Sequence, residues 1–229
     1  MAVTVDHISG GRVDVGMGSG WYEREQGAHG FPFLDGKQRF ELFAEQVEIV
    51  VRSWTEERFD HLGPAYELRG QQALPGPVQK PHPPLVLGGT AKPRFAELAA
   101  RYATEVNRLG APNALRERKR ELDRACMEAG RDPATLAFSV MTACFLGDSR
   151  ADAVERVGGF MAIRGDDADP ESMLRERSDR WLAGSVDEVI ERVHELNALG
   201  VTRVFLQHLN DSDDDIVRLM GERLLFSLR

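Results

Sequence analysis

Two glycine clusters follow short apolar runs, a setting in which bare backbone can approach a flat or phosphorylated ligand. The first cluster, in the run RVDVGMGSGWYERE, contains Gly16, Gly18 and Gly20. Its spacing differs from the G-x-G-x-x-G pattern that opens directly into a helix and binds dinucleotides, so we expect no Rossmann-type site. Two interpretations stay open: a tight turn without a ligand, or a strand end against which a flat ligand lies.

The second cluster lies in PPLVLGGTAKPRFAELAARYA. A strand is predicted to end at Gly88 and Gly89, with Thr90 at the N-cap of a helix and with Lys92 and Arg94 in its first turn. Cations are unfavourable at a helix N-terminus unless an anion lies between them and the helix dipole. The pattern therefore predicts a phosphate held by backbone N-H groups, the Thr90 hydroxyl and the two cations. A plain N-cap with solvated Lys and Arg is the alternative.

Other residues with possible chemistry are weaker candidates. His208 ends the run VTRVFLQH, where barrel enzymes place catalytic groups, although a structural histidine is the alternative. The acids in NDSDDDIVRLMGE have EF-hand spacing, but Ile216 stands where glycine is required, so they are interpreted as favourable charge at a helix N-terminus. The remaining histidines lack metal-ligand spacing, and no metal site is expected. Cys126 and Cys144 are predicted to be buried, reduced thiols.

The elements that must position these residues alternate between strands and helices. Five strands are predicted, at residues 12–16, 84–89, 103–107, 136–147 and 201–208. Helices are predicted between them, including one whose apolar stripe is Phe40, Phe43, Val47, Val50 and Trp54. Another begins with a capping box at Ser185 and Glu188 and stops at Gly200. This order predicts an α/β fold with parallel strands, either doubly wound or a (β/α) barrel.

The segment from 56 to 84 interrupts this order. It contains six prolines, in GPAYELRGQQALPGPVQKPHPP, and proline at that density excludes a helix or a central strand. We expect an extended arm or a hairpin inserted after the first long helix, with the role of an active-site lid or of an interface arm.

Composition and charge argue against several classes of protein. The 229 residues carry a formal net charge of −8, and the acidic balance argues against a nucleic-acid surface. The basic run ALRERKRELDRA is interleaved with acids and is interpreted as a solvated helix face. No apolar run is long enough to span a bilayer, and the first residues lack the pattern of a signal peptide. A cytoplasmic protein that acts on a small molecule is expected.

Four runs, in order along nearly the whole chain, resemble the bacterial luciferase-like family, and within it the branch of deazaflavin (coenzyme F420)-dependent oxidoreductases. They are VDHISGGRVDVGMGSGWYEREQGAHGFPF, KQRFELFAEQVEIVVRSW, GPVQKPHPPLVLGG with AARYA, and DEVIERVHELNALGVTRVFLQH. The resemblance implies a TIM-type (β/α)8 barrel, usually a homodimer, that binds FMN or coenzyme F420 at the carboxyl ends of its strands. It implies a single, incomplete barrel domain over residues 1–229, with about five β-α units.

Residue by residue, the resemblance implies two groups of cofactor contacts. The first would lie beside the deazaflavin ring and its side chain: Gly16, Gly18, Ser19 and Gly20. The second would hold the cofactor phosphate: Gly88, Gly89, Thr90 and Ala91, to which the charge argument above adds Lys92. Glu25 and His208 are the candidate catalytic residues, for polar work near the substrate.

In the family, three β-α units precede the SGGR strand, whereas here only a few residues do. A start codon assigned too late, a fragment, or a shortened protein whose partner chain covers its edge would each account for this. The predicted function is hydride transfer between coenzyme F420 and a small organic substrate, or FMN-dependent monooxygenation. The alternatives are a non-catalytic partial-barrel remnant or association subunit, and an unrelated doubly wound small-molecule-binding domain.

Overall fold

A computed structural model describes residues 1–89, 92–110 and 112–228, apart from the side chain of Asn113. The described helices are Ala2–Ser9 (α1), Glu23–Ala28 (α2), Gly36–Thr55 (α3), Pro93–Tyr102 (α4), Pro112–Glu128 (α5), Arg150–Ile163 (α6), Pro170–Arg177 (α7), Val186–Ala198 (α8), Asp214–Leu219 (α9) and the turn Leu225–Ser227 (α10). The strands are Val15–Gly18 (β1), Phe59–Leu62 (β2), Glu67–Gln71 (β3), Leu85–Gly88 (β4), Glu105–Arg108 (β5), Ala137–Gly147 (β6), Leu182–Ser185 (β7) and Arg203–Gln207 (β8).

The chain divides into two compact units, Met1–Val106 with Glu121–Leu136, and Asn107–Arg120 with Ala137–Arg229. In the first unit, β1 and β4 pair in parallel. Leu85 and Leu87 point to one side of β4 and are fully buried, which is the alternation expected of a strand with one covered face. On α3, Phe43 and Val47 of the predicted stripe are buried in the core, and α3 packs on α4.

The proline-rich segment of the first unit contains the predicted hairpin, in which β2 and β3 pair antiparallel. The stretch after it is fixed by Asp6 of α1, which is fully buried. Its carboxylate accepts hydrogen bonds from the backbone of Val78 (2.7 Å) and from the side chain of Gln79 (2.9 Å). Burial alone would raise the pKa of Asp6, but these hydrogen bonds outweigh it and hold that pKa below its ordinary value. Asp6 therefore ties α1 to the chain more than 70 residues away.

In the second unit, β6 is paired in parallel with two strands. Its first half lies beside β8, with Ser139 opposite Arg203, and its second half lies beside β7, with Cys144 opposite Leu182. The predicted capping box of α8 is present, with Ser185 and Glu188 each bonding the other's backbone N-H. Both cysteines are buried and neither forms a disulfide, as predicted. Burial raises the pKa of Cys144 to about 12.

Some predicted boundaries were wrong. The first strand covers Val15–Gly18 rather than residues 12–16, so two glycines of the first cluster lie inside it. The residues after this strand, for which the sequence predicted no helix, include α2, whose helical character is hidden by Gly27 and by the glycines and proline around it. Helix α1, helix α7 and strand β7 were not predicted, because each is too short to show a clear period.

The acidic run near the end of the chain forms a helix start, as predicted. Asp213 caps α9 by accepting the backbone N-H of Ile216, and it also accepts a hydrogen bond from Arg156 at 2.8 Å. Among the described helices, none combines the length and the apolar character that crossing a membrane requires. The parallel pairings, with helices between the strands, confirm the predicted α/β class.

Candidate functional site

The two predicted glycine clusters meet on neighbouring strands of the first unit. In the parallel register of β1 and β4, Gly16 lies opposite Val86 and Gly18 lies opposite Gly88. Side chains alternate between the faces of a strand, so these four residues share one face, while Val15, Met17, Leu85 and Leu87 point to the other. We call Gly16, Gly18, Val86 and Gly88 the glycine face. Val86 provides its only side chain beyond hydrogen.

The glycine face is accessible. Gly16 and Gly18 are exposed, and Val86 and Gly88 are partly so. A Cβ atom placed on Gly16 would meet no atom within 4 Å, and one on Gly18 would come no closer than 3.6 Å to the Gly88 carbonyl oxygen. The protein therefore leaves space above these residues that side chains could have filled. A planar group can lie there in contact with backbone atoms alone.

The loop after β1 continues this bare surface through Ser19, which is exposed, and Gly20. Gly20 has a φ of 65°, and the Gln26 side chain of α2 occupies the place where its Cβ would stand. Only glycine fits this position without strain. Beyond it, the rings of Trp21 and Tyr22 lie 5.4 Å apart, and Trp21 is 83% exposed. Glu25, the predicted polar group of this region, lies on the exposed surface of α2.

At the other end of the face, the chain passes from β4 into α4. The ring of Phe95 lies where a Cβ on Gly89 would stand, so glycine at this position lets the helix pack closely on the strand end. The N-cap of α4 is Lys92, which is followed by Pro93, so the prediction that Thr90 caps the helix was wrong. Proline is favoured at the first helical position because it lacks an N-H that would otherwise be unpaired. Thr90 and Ala91 themselves lie outside the described residues.

The N-terminus of α4 keeps part of its predicted character. The Lys92 side chain makes no capping hydrogen bond, and it is exposed beside the positive end of the helix dipole. Arg94, the second predicted cation, is engaged elsewhere, because it pairs with Glu41 at 3.4 Å and lies 4.8 Å from the Phe40 ring. Of the two predicted cations, Lys92 is thus the stronger candidate for a phosphate contact at this helix end.

His208 belongs to the second unit and directly follows β8. Its Nε2 atom is shielded from solvent and, within the described part of the chain, has no hydrogen-bond partner. Unpaired buried polar atoms are uncommon in folded proteins, which marks this imidazole as a group with an unused donor or acceptor. Its position at a strand end is as predicted, and its catalytic role stays a prediction.

One further polar cluster was not anticipated, because its members are far apart in sequence. On α3, Glu45 is buried and accepts hydrogen bonds from the backbone N-H groups of Ala65 (3.0 Å) and Tyr66 (2.8 Å). His61 Nε2 lies 3.0 Å from the same carboxylate. Burial alone would raise the pKa of Glu45, but the hydrogen bonds from His61, Tyr66 and Ala65 outweigh it and lower that pKa. The cluster fastens the β2–β3 hairpin to α3.

We expect Glu45→Gln to lower the melting temperature by several degrees at pH 7. Between pH 7 and pH 3, the melting temperature of this variant should fall less steeply than that of the wild type. A carboxylate whose pKa is lowered in the folded state stabilises the fold at a pH above its ordinary pKa of 4.5. This stabilisation is lost as the pH falls through the pKa that the carboxylate has in the folded state. Melting curves by circular dichroism from pH 7 to pH 3 measure the effect. The exposed Glu97→Gln is the control. A Glu45→Gln profile parallel to that of the wild type would contradict the assignment.

Two clefts are lined by residues that do not belong to the glycine face. One, of about 850 Å³, is lined mainly by charged residues of α6, α9 and their flanking loops in the second unit. The other, of about 610 Å³, lies between α3, the hairpin and α4 in the first unit. Of the predicted site residues that the structure describes, only Arg94 lines a cleft, and it lines the second one. Within the described residues, no group of three or more His, Cys, Asp or Glu is arranged to hold a metal ion.

The chain is a parallel α/β protein in which β1 and β4 share an accessible face composed almost entirely of glycine. The model of the luciferase-like monooxygenase family matches residues 1–203, and the chain belongs to that family. This confirms the resemblance noted in the sequence. The chain is therefore a member of a family of (β/α) barrel oxidoreductases.

Relatives with known names match parts of the chain. The FMNH2-dependent dimethylsulfone monooxygenase of Pseudomonas putida is 33% identical over 89 residues, which are 39% of this chain and 24% of that protein. An uncharacterized protein of Mycobacterium tuberculosis, Rv0953c, is 36% identical over 100 residues, which are 44% of this chain and 34% of the relative. The matched segments thus span about a quarter to a third of these relatives' own length.

Solved structures extend the likeness to the whole chain. Monooxygenase RslO1 from Streptomyces bottropensis superposes with a TM-score of 0.81 at 25% identity, over 99% of this chain and 72% of its own. The coenzyme F420-dependent tetrahydromethanopterin reductase of Methanopyrus kandleri has a TM-score of 0.74 at 17% identity, over 100% of this chain and 78% of its own. At that identity the second likeness concerns the fold alone.

Proposed function

We propose that the protein is an oxidoreductase that binds a flat flavin-type cofactor on the glycine face. The preferred reaction is hydride transfer between coenzyme F420 and a small organic substrate, and the second is FMN-dependent monooxygenation. The observation that carries the proposal is the register of Gly18 opposite Gly88, which joins the two glycine clusters into one accessible surface. Family membership adds support, as does the use of either cofactor by similar proteins.

The residues present fit such a cofactor. Gly16, Gly18 and Gly88 would lie against the ring, since the face leaves room for a planar group there. Ser19 and Gly20 would lie beside the side chain that joins ring to phosphate. The phosphate would be held at the N-terminus of α4, where Lys92 is exposed and its side chain makes no capping hydrogen bond. When bound, the cofactor supplies the hydride or oxygen chemistry, and the protein supplies binding, orientation and exclusion of water.

Two side chains are proposed to interact with polar groups of the substrate. His208 ranks first, because its Nε2 atom is shielded and has no partner among the described residues, so a substrate oxygen or proton could engage it. Glu25 ranks second, because it is exposed on α2. We further propose that the protein acts as a homodimer in the cytoplasm.

Titration of the purified protein with coenzyme F420 and, separately, with FMN tests the proposal. Saturable binding with a stoichiometry near one per chain, followed by the intrinsic fluorescence of each cofactor, is expected for at least one of them. The tighter cofactor identifies the reaction type to be assayed next. Absence of saturable binding of both would contradict the proposal and would favour a non-catalytic role.

A further inference from the structure

The cleft between α3, the hairpin and α4 lies within the first unit, and the proposed cofactor site does not use it. Its volume of about 610 Å³ is within the range of sites that bind small molecules. Phe40, Ala44 and Leu98 give the lining an apolar part, and His61 and Glu48 belong to its polar part. The cleft therefore has the size and the mixed character that an organic ligand requires.

The hydrogen bonds of Glu45 determine which nitrogen of His61 carries a proton. Glu45 accepts the backbone N-H groups of Ala65 and Tyr66, and these bonds favour its ionised form. An ionised carboxylate only accepts hydrogen bonds, so His61 Nε2, at 3.0 Å, is the donor. In the neutral imidazole the other nitrogen, Nδ1, is then an acceptor.

This Nδ1 atom has no hydrogen-bond partner among the residues that the structure describes. The side chain of His61 is only 8% exposed, and a buried polar atom without a partner is unfavourable. Glu48 Oε1 lies 4.0 Å from Nδ1, which is too far for a direct hydrogen bond. Two acceptors on the lining of the cleft are thus separated by a gap that one donor group can bridge.

The charges on the lining favour a cationic ligand. Four carboxylates lie there: Glu45, Glu48, Asp60 and Glu97. Three arginines also line the cleft, but Arg52 pairs with Glu56 at 2.7 Å and only more weakly with Glu48, at 3.7 Å. Arg94 pairs with Glu41 at 3.4 Å, and Arg101 is the third. Two of the arginines are therefore engaged by acids outside the lining, and the carboxylates of the lining are in excess.

We propose that His61 Nδ1 and Glu48 bind the ammonium group of a small primary amine, whose organic part lies on the apolar lining. An ammonium group has three N-H donors and a positive charge, so it can donate to both acceptors and compensate the charge of Glu48. The site shares no residue with the glycine face or with the N-terminus of α4. It does not depend on the cofactor proposal.

Thermal denaturation in increasing benzylamine hydrochloride, with ionic strength held constant by sodium chloride, tests the site. Benzylamine joins an ammonium group to a flat apolar ring, and the wild-type melting temperature is expected to rise saturably. Benzyl alcohol has a similar shape without the charge, and benzyltrimethylammonium has the charge without N-H donors. Each of these two should bind about tenfold more weakly or less well still.

Glu48→Gln is expected to lower the affinity for benzylamine by about tenfold or more, because the amide carries no charge. The variant should fold, since the Glu48 side chain is 34% exposed. Glu67→Gln removes the same charge from β3 outside the lining and should respond as the wild type does. Glu48→Gln should bind coenzyme F420 or FMN as the wild type does, so failure of the cofactor proposal and failure of this site are distinguishable.

Three results would overturn the proposal. A wild type without a saturable response would leave water as the occupant of the gap. Equal binding of the three benzyl compounds, or a full response of Glu48→Gln, would show that the two acceptors do not hold the ammonium group. Nitrogen NMR of the wild type adds an independent readout, because the Nδ1 resonance of His61 should move saturably with benzylamine. A melting temperature that rises while this resonance stays fixed would place the amine elsewhere and equally reject the site.

Discussion

Replacing Gly18 by leucine is expected to weaken the binding of both coenzyme F420 and FMN by roughly a hundredfold, or about 2.8 kcal/mol, while the fold is retained. Gly18 is exposed in the middle of the glycine face, and the nearest atom to an added Cβ is 3.6 Å away. The Cβ atom of a leucine would therefore fit without displacing protein atoms, and the rest of its side chain would extend into the space proposed for the ligand. Leucine also favours the strand over glycine, so the melting temperature should not fall.

Gly36→Leu is the matched control for this substitution. An added Cβ at Gly36 also meets no atom within 4 Å, but this residue begins α3 and is not part of the glycine face. Cofactor titration by fluorescence and melting by circular dichroism would be measured on both variants. Cofactor binding by Gly18→Leu at wild-type strength would show that the ring lies elsewhere, and the cofactor proposal would lose its geometric support.

Replacing Gly89 by alanine is expected to lower the free energy of unfolding by about 1–3 kcal/mol and the melting temperature by several degrees. The reason differs from that at Gly18. The ring of Phe95, which is 4% exposed, stands where the new methyl group would go. The methyl group must push α4 away from the end of β4 or force the ring out of its place in the core.

A double-mutant cycle with Phe95→Leu checks this cause. The smaller leucine makes room for the methyl group, so the double variant should be more stable than the sum of the two single effects predicts, by more than about 0.5 kcal/mol. Gly76→Ala, where nothing lies within 4 Å, should change stability by less than about 0.5 kcal/mol. Additive effects of Gly89→Ala and Phe95→Leu would rule out the steric explanation.

Hydrophobic patterns predicted the long helix α3 and the long strand β6. The stripe from Phe40 to Trp54 located α3, and the apolar run from 136 to 147 located β6 to within a residue. The capping box at Ser185 worked because both of its interactions are local in sequence. Such signals are strong because they depend only on neighbours a few residues apart.

At the end of β1 and the start of α4, two local preferences conflict, and the prediction followed the one that the structure does not obey. Glycine is disfavoured in strands, so the first strand was expected to end at Gly16, but pairing with β4 extends it to Gly18. Thr90 is a good capping residue, but Pro93 at the first helical position sets the start of α4 later. The preference of proline for that position was a usable signal that favoured Lys92 as the N-cap.

The remaining features depend on distant partners. Asp6 is buried because Val78 and Gln79 bond to it, and Glu45 is buried because the hairpin folds over it. Arg118 differs from Arg116 and Arg120 only in what the fold places around it. A single sequence shows the residue types but not these encounters, so the polar clusters emerge only from the three-dimensional structure.

The bareness of the glycine face has a consequence for selectivity. A surface without functional side chains offers a ligand peptide dipoles and van der Waals contact, and both are nearly the same beneath any planar ring system of similar thickness. For a ligand bound there, the face selects for shape and is almost indifferent to which ring atom is carbon or nitrogen. Evolution or design could therefore exchange one flat redox cofactor for another by changing only groups that reach the edges of the ring, with β1 and β4 left as they are.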